Sequence, residues 1–142
     1  MNIRVTNDER LFDSVQCTYN ILEQRPSKAL YEAHEAGMDI IIKEGLANGR
    51  ALRHPKLIEL SNKLGCKPDA LALGAILAQP FQPRVLSGAV TGDQLCSNLS
   101  ALDVMEKLTS TEEGKEILQQ LMKECCMDSE SYWKDRSALK WN

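Results

Sequence analysis

DIIIKEGL, residues 39–46, begins with three consecutive isoleucines after a single aspartate. A strand with one wet face alternates apolar and polar side chains, whereas an unbroken β-branched run suits a strand covered on both faces. Its neighbours are therefore expected to run parallel to it. Upstream, SVQCTYN (14–20) has the short β-branched look of a second strand, and Pro26 and Ser27 open PSKALYEAHEAG, which stops at Gly37. Proline inside the start and glycine past the end punctuate a helix. Downstream, after NGRALRH, HPKLIELSNKLG (54–65) puts Leu57, Leu60 and Leu64 on one face and ends at Gly65. KPDALALGAILAQP (67–80) is apolar almost all round, so it must be packed deeply.

A third strand, PRVLSGAV (83–90), leads into GDQLCSNLSALDVMEKL, where Leu95, Leu99, Leu102 and Met105 recur at helical spacing. Strand, helix, strand, helices, strand, helix is the order of right-handed βαβ units, and it predicts an α/β fold with a parallel sheet. Residues 109–142 read as a helical tail. In TSTEEGKEILQQLMKEC, Ser110 and Glu113 have the spacing of a capping box, with Ile117, Leu118, Leu121 and Met122 on one face. DSESYWKDRSALKWN opens on an Asp/Ser cap and carries both tryptophans, placed to cover a neighbouring surface.

With 142 residues, 43% of them hydrophobic and 26% charged, the chain is one domain able to bury a core. A formal charge of −3 without a basic, aromatic-interleaved stripe argues against nucleic acid as a partner. MNIRVTNDER lacks the apolar centre of a secretion signal, and no stretch reaches the roughly 20 apolar residues that span a bilayer. A soluble cytoplasmic protein with no membrane partner is expected. The five cysteines lack zinc-finger spacing and read as buried thiols. His34 and His54 read as surface residues, so neither a Ser/His/Asp nor a Cys/His constellation can be argued from them.

Two strand-to-helix turns are rich in small residues: GLANGR (45–50) and SGAVTGDQ (87–94). At the carboxyl ends of parallel strands such turns aim backbone N–H groups at anions, and small residues let a phosphate approach the main chain. The plainer alternative is that Gly45, Gly49, Gly88 and Gly92 only permit tight turns. Neither loop matches GxGxxG or the P-loop consensus.

Taken together, FDSVQCTYNILEQ, DIIIKEGLANGRAL and VLSGAVTGDQLCSNLSAL resemble the sixth, seventh and eighth strands, with their following loops, of the aldo/keto reductase family. The resemblance runs from about Leu11 to Leu108. It implies a partial (β/α)8 TIM barrel of about three parallel strands with flanking and C-terminal helices. It also implies a nicotinamide dinucleotide cofactor, NADP(H) with NAD(H) as the alternative, in an oxidoreductase acting on carbonyl and alcohol substrates. Gln16 corresponds to the glutamine that hydrogen-bonds the nicotinamide carboxamide, with Tyr19 and Asn20 completing that strand end. Where the family usually has Tyr-Ser-Pro-Leu, this chain has Lys43, Glu44, Gly45 and Leu46, so the ring that stacks on nicotinamide is missing. Gly88, Ala89, Val90 and Thr91 lie where the family wraps the adenosine phosphate. Gln94 occupies the place of an arginine for the 2′-phosphate, and Asn98 matches an asparagine that contacts adenine.

The family's catalytic Asp, Tyr, Lys and His lie on its first four strands, so no residue here inherits those roles. A full barrel takes roughly 250 residues, and the expected three strands would leave two sheet edges unpaired unless a helix, the tail or another chain covers them. Three readings follow. The first is the carboxyl-terminal portion of an NADP-dependent reductase, whether shortened, incomplete or one half of a split enzyme; by itself this chain is expected to be inactive. The second is a noncatalytic nucleotide-binding or interaction module, and the third an inactive remnant.

Overall fold

The computed structural model describes residues 11–140, in which three strands form one parallel sheet in the order β1 (Ser14–Thr18), β2 (Asp39–Lys43), β3 (Arg84–Val85). Gln16 lies opposite Ile41, which in turn lies opposite Arg84. That register divides the sheet into two unlike faces. Ile40 and Ile42 are buried, with Val15, Cys17 and Val85 packed on the same side. Gln16, Lys43 and Arg84 point to the other side and are exposed. Burying each isoleucine contributes about 1.5–3 kcal/mol. Ile41, on the second face, is only half-buried, so among the described residues the triple isoleucine is covered on one side and partly open on the other.

The helices that cover the buried face keep the expected punctuation. Helix α1 (Ser27–Glu35) closes at Gly37, whose φ of 78° turns the chain while Met38 N–H donates to the Ala33 carbonyl at 3.0 Å. This is a glycine-terminated C-cap that occupies carbonyls the helix leaves open. Helix α2 (Pro55–Leu64) begins on a proline and stops at left-handed Gly65, with Cys66 N–H on the Ser61 carbonyl at 2.9 Å. Helix α3 (Pro68–Leu77) is buried without interruption from Ala70 to Ile76. It separates two apolar clusters, one against the sheet with Tyr19, Leu30 and Phe81, the other among the later helices with Leu57, Leu60, Leu108, Ile117 and Leu121.

Several expectations change at the third strand and beyond. PRVLSGAV pairs only through Arg84–Val85, followed by one more bond from Leu86 N–H to the Ile42 carbonyl at 2.9 Å. Past that point Asn98 Nδ2 draws the chain aside by donating to the carbonyl and hydroxyl of Ser87, and Gly88 turns at φ 64°. The helical pattern that follows is broken into α4 (Gly92–Leu99) and α5 (Ala101–Ser110), where the Ser100 hydroxyl donates to the Ser97 carbonyl at 2.6 Å.

The Leu95, Leu99 and Leu102 stripe stays 46%, 55% and 52% exposed, bordering a groove of about 150 Å³. Ala101, Val104 and Leu108 enter the core instead. Close approach of two helices decides this: a Cβ on Gly74 of α3 would stand 3.0 Å from Val104 and 3.1 Å from the Ala101 carbonyl, so small residues must meet there.

Helix α6 (Glu112–Cys125) is capped by the Thr111 hydroxyl, which accepts from Gly114 N–H, and not by Ser110 as the spacing suggested. Ser110 is still the last residue of α5. Helix α7 (Ser129–Ser137) has the expected Asp128 cap, Tyr132 buried and Trp133 47% exposed; Trp141 lies outside the described residues. The cysteines depart from the buried default: Cys125 is buried, Cys17 and Cys66 are half-buried, Cys96 and Cys126 are exposed. None of the described helices is long and apolar enough to cross a membrane.

Candidate functional site

The two small-residue turns come together. A cavity of about 450 Å³ lies between the segment after β2, which supplies Lys43, Glu44, Gly45, Leu46, Asn48 and Gly49, and the segment after β3, which supplies Leu86, Ser87 and Gly88. A larger cleft of about 680 Å³ lies between the α2–α3 turn and helices α4 and α5, but no strand-end residue forms its walls. Its Lys67 and Lys107 are matched by Asp93 and Asp103, so it offers no excess charge.

The backbone after β2 is contorted. Glu44, Ala47 and Asn48 have φ of 55°, 51° and 56°, and Gly49 follows at 81°. Left-handed geometry costs a residue with a Cβ about 1–2 kcal/mol, and such strain collects where a turn has a task beyond connection. The glycines around the cavity differ in purpose. A Cβ on Gly45 would lie 3.0 Å from Leu73 and 3.3 Å from both Ile76 and Val85, so its smallness serves core packing. Gly49 and Gly88 have open space where a Cβ would be and positive φ, so they serve turn geometry and leave the main chain approachable.

Asn20 ties the segment after β1 to the turn after β2 and to the last helix. Buried just beyond β1, it accepts from the N–H groups of Leu22 and Glu23 through Oδ1, each at 3.0 Å. Its Nδ2 donates to the Glu44 carbonyl and to the Tyr132 hydroxyl, again at 3.0 Å each. Tyr132 brings in the last helix: the Arg50 guanidinium stands 4.3 Å above its ring, and Arg50 Nη1 donates to the Tyr132 carbonyl at 3.3 Å. One turn further along α7, Arg136 grips the Glu44 carboxylate, with Nε 3.2 Å from both oxygens and Nη2 3.0 Å from Oε1. The two side chains are only 22% and 15% exposed. Burial pushes the Tyr132 hydroxyl above its ordinary pKa, as it does that of Tyr19.

Of the residues singled out in the sequence, Lys43, Gly45, Leu46 and Gly88 line the cavity. Gln16 stands exposed in mid-strand on the open face of the sheet and is not part of its wall. Gln94 and Asn98 face their own loop: Gln94 Oε1 accepts from Val90 N–H at 2.9 Å, while Asn98 holds Ser87. Ala89 and Val90 belong to the loop so held, outside the cavity wall, with Val90 85% exposed.

The ligand suited to the wall is an anion approaching main chain. Among the described residues Lys43 makes no ion pair, and Glu44 is neutralised by Arg136. Those features fit a phosphate-bearing group, whereas the wall presents no aromatic plane for a nicotinamide ring.

Sequence reasoning missed Asn20 as an anchor, along with Arg50, Tyr132 and Arg136. The last two lie in a tail whose pattern signals only a helix. It also missed a Cys/His contact, for His54 is half-buried with Nδ1 3.3 Å from Cys125 Sγ. Burial, with the Glu124 charge second, pushes the Cys125 thiol up to about 11, which disfavours a thiolate and makes the pair structural.

No protein-family model and no curated protein matches the sequence. Solved structures do match: a holo form of an aldo-keto reductase from Bacillus halodurans is 24% identical with a TM-score of 0.63, over 87% of this chain and 47% of that one. The apo form of the same protein gives 24% identity and a TM-score of 0.60, over 84% and 46%. The chain thus spans about half the length of these structures. It has the fold of part of an aldo-keto reductase, in keeping with the carboxyl-terminal placement that its motifs imply.

Proposed function

We propose that this chain is the cofactor-holding portion of an aldo/keto reductase-like oxidoreductase and takes NADP(H) at its strand ends. The observation that carries the reading is the cavity walled jointly by the turns after β2 and β3, with Lys43 as its uncompensated cation among the described residues. Asn48, Gly49 and Gly88 border it with turn backbone, the arrangement that accepts phosphate oxygens without a side chain in the way. Asn20 fixes one wall by holding the Glu44 carbonyl. Asn98 fixes the other by holding Ser87.

The nicotinamide, when bound, supplies or accepts hydride. The described residues around the cavity contribute binding and orientation, because their titratable groups are Lys43 and an already engaged Glu44. Reduction of a carbonyl also needs a positioned proton donor; by family resemblance that donor sits on strands with no counterpart among the matched segments. With Gln94 turned to its own loop and no arginine there, discrimination between NADPH and NADH is expected to be weak.

Calorimetric titration of the purified chain with NADPH and NADH tests this. Both should bind within about tenfold of each other, and Lys43→Ala should weaken both by about three- to tenfold, with a smaller salt dependence. Absence of binding, or binding indifferent to Lys43→Ala, rejects the reading.

A further inference from the structure

The charge balance of the cavity depends on a residue that does not line it. Glu44 is in the wall because β2 ends at Lys43 and the chain then turns through positive φ. A carboxylate there would cancel Lys43 and repel an anionic ligand. Arg136 engages it through three contacts of 3.0–3.2 Å. Asp128, Tyr132 and Arg136 recur every four residues on one face of the last helix. The first caps that helix, the second is buried against Asn20 and Arg50, and the third reaches Glu44.

We propose that Arg136 is a positioning residue for the anion site, one that keeps the Glu44 carboxylate neutralised so that the cavity accepts a phosphate group. The inference rests on the phosphate-binding reading of the cavity, and it makes the last helix part of the site. Arg136→Gln leaves Glu44 unbalanced and lowers the net charge at the wall by one; adding Glu44→Gln to it returns the wall to the charge it has now.

Inorganic pyrophosphate is the probe, titrated calorimetrically at low ionic strength into the wild type, Arg136→Gln, Glu44→Gln and the double variant, with circular dichroism on each. A unit charge close to the ligand across a partly desolvated wall should change affinity about tenfold. Arg136→Gln is expected to bind about tenfold more weakly and the double variant within about threefold of wild type, while Glu44→Gln binds at least as tightly as wild type. Should Arg136→Gln fail to fold, Glu44→Gln and the double variant decide. Undiminished binding by folded Arg136→Gln, weaker binding by Glu44→Gln, or a double variant as weak as the single overturns the inference while leaving the cavity reading in place. A wild-type chain that binds neither pyrophosphate nor NADPH overturns both.

Discussion

Replacing Asn20 with alanine tests whether one side chain holds the strand-end architecture together. The substitution removes four hydrogen bonds, each 3.0 Å long, and the residue is fully buried. The Glu44 carbonyl keeps a second donor in Ala47 N–H at 2.8 Å, so it is not orphaned. The N–H groups of Leu22 and Glu23 and the hydroxyl of Tyr132 lose these partners in surroundings that admit little water. At the lower half of about 1–3 kcal/mol for each of the three unsatisfied groups, since the backbone of the turn can relax, the loss is roughly 3–5 kcal/mol. That is a large fraction of the 5–15 kcal/mol typical of a domain, and corresponds to a melting point lower by about 10–20 °C at this size.

Asn20→Asp keeps the acceptor for both N–H groups and gives up the donor to Glu44 and Tyr132, so it should fall between alanine and the wild type. Urea and thermal unfolding followed by circular dichroism provide the measurement. An Asn20→Ala protein melting within about 3 °C of wild type would refute the anchoring role, since the hydrogen-bond cost could not then be as large as the geometry requires.

Gly114→Ala should be among the most destabilising single-atom additions, because its Cβ would overlap the Lys107 carbonyl oxygen and stand 2.8 Å from Leu108 Cα. A loss of about 3 kcal/mol or more is expected in urea, and an unchanged midpoint would contradict the tight α5–α6 turn. Iodoacetamide at mildly alkaline pH should label exposed Cys96 and Cys126, with Cys126 slowed because burial and then the Glu23 charge push its thiol up, and leave buried Cys125 protected. Because the folded Cys125 thiol is raised to about 11, its stabilising contribution is complete below the unfolded value of about 8.5 and is lost as pH climbs toward 11. Tyr19 and Tyr132 shift in the same direction, so the difference between wild type and Cys125→Ala across that window isolates the thiol. The 142-residue polypeptide by itself is expected to give no NADPH oxidation with an aldehyde; steady turnover would show that a proton donor exists within it.

The positions of the helices and the parallel order of the strands were legible because their causes are local. Pro55 and Gly65 bracket α2 wherever it packs, and a β-branched run such as Ile40 to Ile42 selects extended backbone from its own side chains. The meeting of the turns at Gly45 and Gly88 was likewise implicit, since parallel strands joined by helices bring their carboxyl ends to one side. The apolar stripe on α4 and α5 misled because periodicity identifies a face without saying what covers it. Gly74 admits Ala101 and Val104 to the core and leaves Leu95, Leu99 and Leu102 outside.

The contacts beyond the reach of pattern are those between distant segments. Arg136 and Glu44 are 92 residues apart, Tyr132 and Asn20 are 112 apart, and Cys125 and His54 are 71 apart. The sequence by itself determined most of the elements, their order and the end of the sheet at which the turns after β2 and β3 meet. Which charges remain uncompensated at that end was decided by tertiary packing, because a Coulomb interaction depends on separation in space and on water excluded by surrounding atoms. Neither quantity is written into the neighbourhood of any one residue.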